Sequence, residues 1–417
     1  MKILSTKLWP VLLVCLIFTA CDDDDDPLVI DDGEDFSELE SEWVRLSLLR
    51  PDGIDVMQTN TGEIVGSAAF DLPEGGGYYT SNSGRYLIVT ERANNMVRFF
   101  DSGVINHTDH GHQEAVGWLD MTVSAPLPTH VTSSGGHTVV FNDGDGSFSH
   151  VNEAQVELPG YEPKTYTYST VAHHGAGFRL NNGQFAITFK NNTEPGGIPQ
   201  MVKFIDANGN VIDDNGGVEV AGIHGDAVNG DFGVFGATDG VILVDNQGNI
   251  DLIPNIDSLR NESGYWIGTL KGHDETSNFF GRATNVGAFL VDPMNMSLTQ
   301  IYEGDDIAAD MLSFDGDYYV LHTAHGDHNH LHVYDAESGS LVAERELDMV
   351  TPGGSGNSGH GPAEGAPVIV SSDDYLYVLT PDRLEIQVFD IETLEDVHTI
   401  TLDREVTSIA YNGFTDD

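Results

Sequence analysis

Downstream of Trp43 the apolar positions alternate with polar ones in short runs rich in β-branched and aromatic residues, and long helical periodicity is absent. The runs come in pairs: YLIVTERANNMVRFFD from Tyr86, HTVVFNDGDGSFSHV from His137, FAITFKNNTEPGGIPQMVKFID from Phe185 and FGVFGATDGVILVD from Phe232. FFGRATNVGAFLVD from Phe279, YYVLHTAHGDHNHLHVYD from Tyr318 and YLYVLTPDRLEIQVFD from Tyr375 continue the series. Most end in an apolar residue plus Asp, followed by a turn such as ANGN, NQGN or AESGS. Their spacing of about 40–45 residues is the period of a four-stranded propeller blade. The hairpin from Trp43 lacks a strand in front of it, and VTSIAYNG from Val406 has no hairpin behind it. Joined as one blade, these two ends close the ring and leave no free sheet edge. The expectation is an all-β chain forming an eight-bladed β-propeller, or a seven-bladed one if a repeat is degenerate. A pair of β-sandwiches is the alternative.

The start of the chain reads as an address. Lys2 and Lys7 form a positive region ahead of an apolar stretch, Leu8 to Phe18, that is too short to span a bilayer. Thr19-Ala20-Cys21 follows and resembles a bacterial lipobox. The expected organisation is a lipoprotein signal peptide over 1–20, an acidic tether over 21–40 and a single propeller over 41–417. Cys21 would carry the lipid, which adds a membrane anchor and no spanning helix. Ordinary secretion with cleavage nearby is the alternative. Asp22 to Asp26 form a solvated spacer. In other lipoproteins, acids after the lipid cysteine resemble either a surface-export or an inner-membrane retention signal. The location is therefore extracytoplasmic, facing the periplasm or the cell surface.

Cys15 leaves with the signal and Cys21 is lipidated, so the mature chain has no disulfide and no thiolate metal site. Stability must come from core burial, for which 417 residues are ample. The formal net charge of −50 becomes −52 once Lys2 and Lys7 are removed. Nucleic acid is excluded as a partner, because phosphate binding needs a basic face. A salty medium, where screening makes such a surface tolerable, accounts for most of the acids.

Against this acidic background the histidines cluster: NHTDHGHQE around His107, His110 and His112; His130; VAHHGAG with His173 and His174; GIHGDA with His224; LKGHDE with His273; LHTAHGDHNHLH from His322 to His332; and GHGPAEG with His360. Neutral imidazole beside carboxylate suits zinc and its borderline neighbours. With the strands of a blade lettered A to D from the channel outwards, D–A connections and B–C turns share one face of the ring. A–B turns and C–D connections share the other. His130, His173, His174 and His224 fall at the starts of A strands, on the first face. The B–C turns Asp143-Gly-Asp145 and His325-Gly-Asp-His328 rim that face. His110 and His112 fall in a C–D connection, and His273 lies deep in an A strand or at an A–B turn. The geometry thus allows two metal sites, one around His130, His174 and His224 and one involving His110, His112 and His273, which merge into one if blade two is shifted by a strand.

Bland readings stand beside these. His150 and His398 are ordinary surface or core residues, and His137 supplies turn polarity. His173 and His174 are adjacent on a strand and point to opposite sides unless Gly175 breaks it. The HGDHNH turn is a weak metal-collecting loop, with His325, His328 and His330 as additional ligand candidates. Asp143 and Asp145 could serve calcium but lack the remaining ligands of a calcium loop.

Read together, DHGHQE, FNDGDGSF, VAHHGAGFRL, IHGDA, GTLKGHDETSNFFG with GAFLVDP, and GHGPAEGAP resemble, in order, the AztD-type periplasmic zinc metallochaperones. The resemblance covers roughly residues 80 to 410. It implies a β-propeller that hands Zn2+ to the solute-binding protein of a zinc ABC importer. It favours His110, His112, His173, His174, His224 and His273 as metal ligands. The HGDHNHLH turn is richer in histidine than the family pattern.

A chaperone must hold zinc tightly yet release it, and histidine and carboxylate ligands permit stepwise exchange that a closed thiolate cage would slow. Binding needs neutral imidazoles, so affinity should fall as pH drops through about 6.5. Asp226 and Asp274 are additional metal-ligand candidates, or carboxylates behind the ligand rings that fix their tautomers. The rival class is a metal-dependent hydrolase of the lactonase type, in which the ion activates water. No nucleophile motif is recognisable, and a non-enzymatic adhesion propeller is the third possibility. Copper could outcompete zinc at imidazole sites.

Overall fold

The computed structural model describes residues 36–71, 76–107, 110–169, 171–212, 217–262, 264–325, 328–349 and 367–415. The signal segment, Cys21, the acidic run, His360 and the centre of the HGDHNH turn (326–327) lie outside these. Antiparallel sheets of consecutive strands follow one another along the chain, in the order A-B-C-D, as the eight blades of a propeller. Blade 1 closes the ring: Ser408–Asn412 is its A strand, and Arg45–Arg50, Gly53–Gln58 and Glu63–Ala69 are B to D. The two chain ends pair with Ser47 opposite Ala410, and the Ser47 hydroxyl donates to Asn412 Oδ1 at 2.6 Å. Pairing the first hairpin with the last strand satisfies both edges, as the sequence pattern required.

Blade 2 contains Gly77–Thr80, Tyr86–Glu91, Met96–Asp101 and Gly117–Ser124, with a small hairpin, Val104–Asn106 and Gly111–Gln113, inserted between C and D. Blade 3 runs Pro128–Ser134, His137–Asn142, Ser147–Asn152 and Lys164–Tyr166. In blade 4, Gly177–Arg179, Phe185–Phe189 and Met201–Ile205 form three strands, and the outer edge is a single bridge from Ile205 to Val211 among the described residues. Blade 5 starts at Ile223–Val228, blade 6 at Thr269–Lys271, blade 7 at Ile307–Leu312 and blade 8 at Val368–Ser371.

The core lies between successive sheets. Phe178 of blade 4 meets Phe235 and Ile242 of blade 5, and Val241 of blade 5 meets Phe279 and Phe289 of blade 6. Burying each such side chain stabilises by about 1.5–3 kcal/mol. The period-two alternation feeds both gaps at once, because successive residues face opposite neighbours.

The folded unit begins at Phe36, five residues before the boundary expected from the sequence. Phe36 is buried and stacks on His398 at 4.9 Å, so His398 is a packing residue. The buried Glu40 carboxylate accepts from Ser372 Oγ at 2.8 Å and from the Tyr377 hydroxyl. Residues 36–40 therefore belong to the propeller and not to the tether. The short FSEL turn carries too little periodicity to announce this from sequence.

Candidate metal centre

Three blades contribute one histidine each to the end of the ring where the chain enters the A strands. His130 is the third residue of the blade 3 A strand, His174 lies in the loop before the blade 4 A strand, and His224 is the second residue of the blade 5 A strand. Their ligand nitrogens all lie within 4.8 Å of one another, and their ring centroids form a triangle of 4.8, 5.1 and 5.4 Å. His130 Nε2 and His174 Nε2 are 3.2 Å apart. Two nitrogens on a tetrahedral zinc ion, each at about 2.0–2.1 Å, stand about 3.3 Å apart. The His130–His174 pair therefore already has the separation of two zinc ligands, with the His224 ligand nitrogen within 4.8 Å of both.

Local backbone irregularity aims these rings. The A–B pairing of blade 3 slips between Pro128 and Val131, and that of blade 5 slips between Ile223 and Asp226. Each slip falls at a histidine, where a bulge turns a side chain out of the regular alternation. Gly225 within the second bulge has φ of 77°, and a Cβ there would stand 2.5 Å from the Gly268 carbonyl. Only glycine fits that turn without strain.

The rings are also held from behind. His174 Nδ1 donates to Asp143 Oδ2 at 2.8 Å, and His224 Nδ1 donates to the Gly268 carbonyl at 2.7 Å. In a neutral ring each bond places the proton on Nδ1 and leaves Nε2 to face the cluster as a ligand, the arrangement that metal-ligating histidines commonly use. Asp143 is itself buried and also meets Arg92 Nη2 at 3.1 Å. Burial lowers the His224 pKa, which keeps its ring neutral and competent as a ligand.

The orienting groups differ from those expected. Asp226 accepts from Thr132 Oγ1 at 2.9 Å and sits among the inner strands, where burial raises its pKa to about 7. It joins blades 3 and 5 and does not hold the His224 ring. Asp274 accepts from Asn82 Nδ2 at 2.9 Å, the Gly135 amide at 2.7 Å and the Ser134 hydroxyl. It ties the A–B turn of blade 6 to blades 2 and 3 at the other end of the ring. Asp143, weighed in the sequence only as a calcium ligand, is the carboxylate that positions a histidine.

His173 points away from the trio. It is buried against the Phe141 ring at 5.1 Å, and its Nδ1 donates to the Val171 carbonyl at 2.7 Å. Adjacent residues face opposite sides here, and Gly175 does not bring the two rings together. His273 sits at the A–B turn of blade 6, packed beside Gly316, with the Glu275 amide donating to its Nδ1 at 3.3 Å. The expected grouping of His273 with His110 and His112 does not form among the described residues.

His110 and His112 instead share the inserted blade 2 hairpin with His107, which the sequence reading left out of its ligand set. Ile105 pairs with His112, and the His107 amide bonds the His110 carbonyl at 3.0 Å, so all three rings stand on one face. His110 Nε2 and His112 Nε2 are 2.8 Å apart, and the His107 ring lies 4.9 and 5.3 Å from its neighbours. Gly111 lets the hairpin lie on Trp43, whose ring a Cβ would meet at 2.2 Å. The HTDHGH spacing was the signal for His107. The remaining candidates, His325, His328 and His330, lie on blade 7. His137 and His150 pair with each other at 3.0 Å, and burial lowers their pKa values to about 4 and about 3.

Fold and site together define an eight-bladed propeller with a tri-histidine nitrogen cluster at one end of its ring. No family model matches the chain. Among solved structures it is similar to AztD of Citrobacter koseri, with a TM-score of 0.75 and 20% identity over 90% of this chain and 99% of that one. An apo structure of the same protein aligns with a TM-score of 0.73 and 18% identity, covering 89% and 99% of the two chains. The dihydro-heme d1 dehydrogenase NirN is more distant, with a TM-score of 0.56 and 13% identity over 88% of this chain and 75% of that one. These likenesses establish a shared propeller fold.

Proposed function

We propose that the chain is an extracytoplasmic, lipid-anchored zinc-binding protein that carries Zn2+ on His130, His174 and His224. It passes the ion to the solute-binding protein of a zinc importer. The observation that carries this reading is the convergence of three ring nitrogens, two of whose tautomers are set by Asp143 and the Gly268 carbonyl. The AztD-like fold and the six sequence stretches that resemble that family support it.

The ligand set suits transfer. Three neutral imidazoles leave a tetrahedral ion one open position, through which an acceptor ligand enters before any histidine leaves. The half-buried rings leave that position open to approach. The negative charge nearest the rings, on Asp143, is shared with Arg92 and so does not hold the ion as a direct anionic ligand would. The same open position on a hydrolase would hold a metal-activated water. The two readings part on what leaves the site: a carrier loses the ion, and an enzyme keeps it through turnover.

The test is metal content by mass spectrometry on residues 27–417 after zinc loading and exhaustive dialysis, followed by incubation with a solute-binding acceptor. Retained zinc that H174A/H224A loses, and that moves from the wild type to the acceptor, is the expected result. Unchanged stoichiometry and affinity in the double variant would overturn the site. Zinc that stays put while the protein hydrolyses lactone esters would overturn the carrier role.

A further inference from the structure

Blade 7 carries a histidine-rich face that the trio does not use. Its C strand, His328–Asp335, puts His328, His330 and His332 on one side by the period of two. Its D strand, Leu341–Leu347, answers with Glu346 opposite His330 and Glu344 opposite His332. On the B strand, Tyr318–His325, His325 pairs with His328 and shares that side by register.

These side chains sit close enough to act together. His328 Nδ1 is 2.8 Å from Glu346 Oε1, and ligand atoms of His328, His330 and Glu346 all lie within 4.8 Å of one another. His330 Nδ1 is shielded from water and makes no hydrogen bond, with Glu344 Oε1 at 3.5 Å. An imidazole nitrogen held dry and unbonded beside two carboxylates carries an uncompensated desolvation cost. A bound cation would relieve that cost. Further along the strand, His332 Nε2 meets Thr323 Oγ1 at 3.2 Å, so that ring is already engaged.

We propose that His328, His330 and Glu346 form a second divalent transition-metal site, with His325 placed by register to complete it. Two imidazoles and a carboxylate select zinc, copper or nickel over calcium or magnesium, which prefer oxygen ligands throughout. His328 and Glu346 are 70% and 57% exposed. The site is therefore weaker and faster to exchange than the trio, because its ligands lose more freedom on binding and compete with water. Binding displaces the hydrogen bond between His328 and Glu346, and any proton it holds goes to solvent. The B–C turn places the site on the same end of the ring as the trio, where it can collect ions from the surrounding medium. The site is independent of the carrier function: it stands on blade 7 alone.

The experiment maps histidine modification by diethyl pyrocarbonate on the mature chain, with and without Zn2+ alone, in the wild type and in H174A/H224A. Protection of His328 and His330 that persists in H174A/H224A and is lost in E346Q is the expected result. Equilibrium dialysis should then show one weak zinc equivalent fewer in H328N/H330N, with the tight equivalent unchanged. Modification of His328 and His330 that is insensitive to saturating zinc would overturn the proposal. Failure of the trio would appear instead as loss of the tight equivalent in the wild type, so the two outcomes are separable. Glu346 lies on the outermost strand of blade 7 and His328 and His330 on the strand beside it, and an unchanged melting temperature confirms that these variants fold.

Discussion

The trio and the blade 7 face offer similar chemistry by opposite constructions. His130, His174 and His224 come from three blades and are separated by 44 and 50 residues along the chain. Each sits at a bulge or a loop, and two of the three have a partner fixing the tautomer. His328, His330 and Glu346 come from two adjacent strands and are gathered by sheet register alone. The first construction spends folding energy on orientation and meets the ion with little left to rearrange. The second leaves exposed side chains to be ordered at the moment of binding. If both clusters bind zinc as proposed, preorganisation, and not ligand type, sets which site is tight.

The comparison can be broken most directly by removing nitrogen ligands. H174A/H224A should abolish tight zinc retention, whereas H328N/H330N should leave the tight affinity within about twofold, since sites without shared partners act independently. A smaller effect comes from the group behind a ring. D143N keeps the shape but removes the carboxylate that fixes His174, and it should weaken zinc binding by about 10–100-fold, read by competition titration. No such dependence should appear on blade 7, where the neighbouring carboxylate is itself a ligand.

The charge buried below the trio gives a further effect, on stability. Asp226 has its folded pKa raised from 3.8 to about 7 by burial. Between these values the folded state holds a proton that the unfolded state has lost, so this group's contribution to stability falls as pH rises from about 4 to about 7 and is constant above. D226N removes the dependence. In the metal-free protein it should match the wild type below pH 4 and exceed it by about 2 kcal/mol at pH 8, a value discounted for solvent access. Denaturant titrations at the two pH values measure it. Equal differences at both would show that Asp226 is ionised at neutral pH. The smallest effect is expected from E346Q, which should leave global stability unchanged and act only on the weak site.

Much of the candidate chemistry was visible in the chain because it is local. The HTDHGH and HNHLH clusters lie on single hairpins, where a period of two decides which rings share a face. His107 was readable from the same spacing, since it pairs across the turn with His110. Two other positions mark the limit of such reading. The sequence places His173 beside a ligand candidate, yet its ring turns into the core against Phe141. Asp274 follows His273 directly and looks like a partner for that ring, but its carboxylate reaches across to Asn82 and Gly135 and so bridges three blades. In both cases the deciding contact comes from residues far away in the chain.

By itself the sequence determined the repeat, a ring of eight or seven blades and the joining of the two chain ends, because apolar alternation and a regular spacing act over a few tens of residues; the structure settled on eight. It also limited any ligand set beyond Cys21 to side chains other than cysteine, since no cysteine follows that position. The sequence also grouped His130, His174 and His224 at one mouth of the ring, and the tertiary structure decided how closely their rings approach and that His273 stays apart from His110 and His112. That outcome depends on how three neighbouring blades are set around the ring, on bulges at His130 and Gly225, and on a backbone carbonyl at Gly268 that no side-chain pattern reports. The orienting carboxylate, Asp143, reaches His174 from another blade for the same reason: a hydrogen bond of 2.8 Å is fixed by packing across blades, not by proximity along the chain.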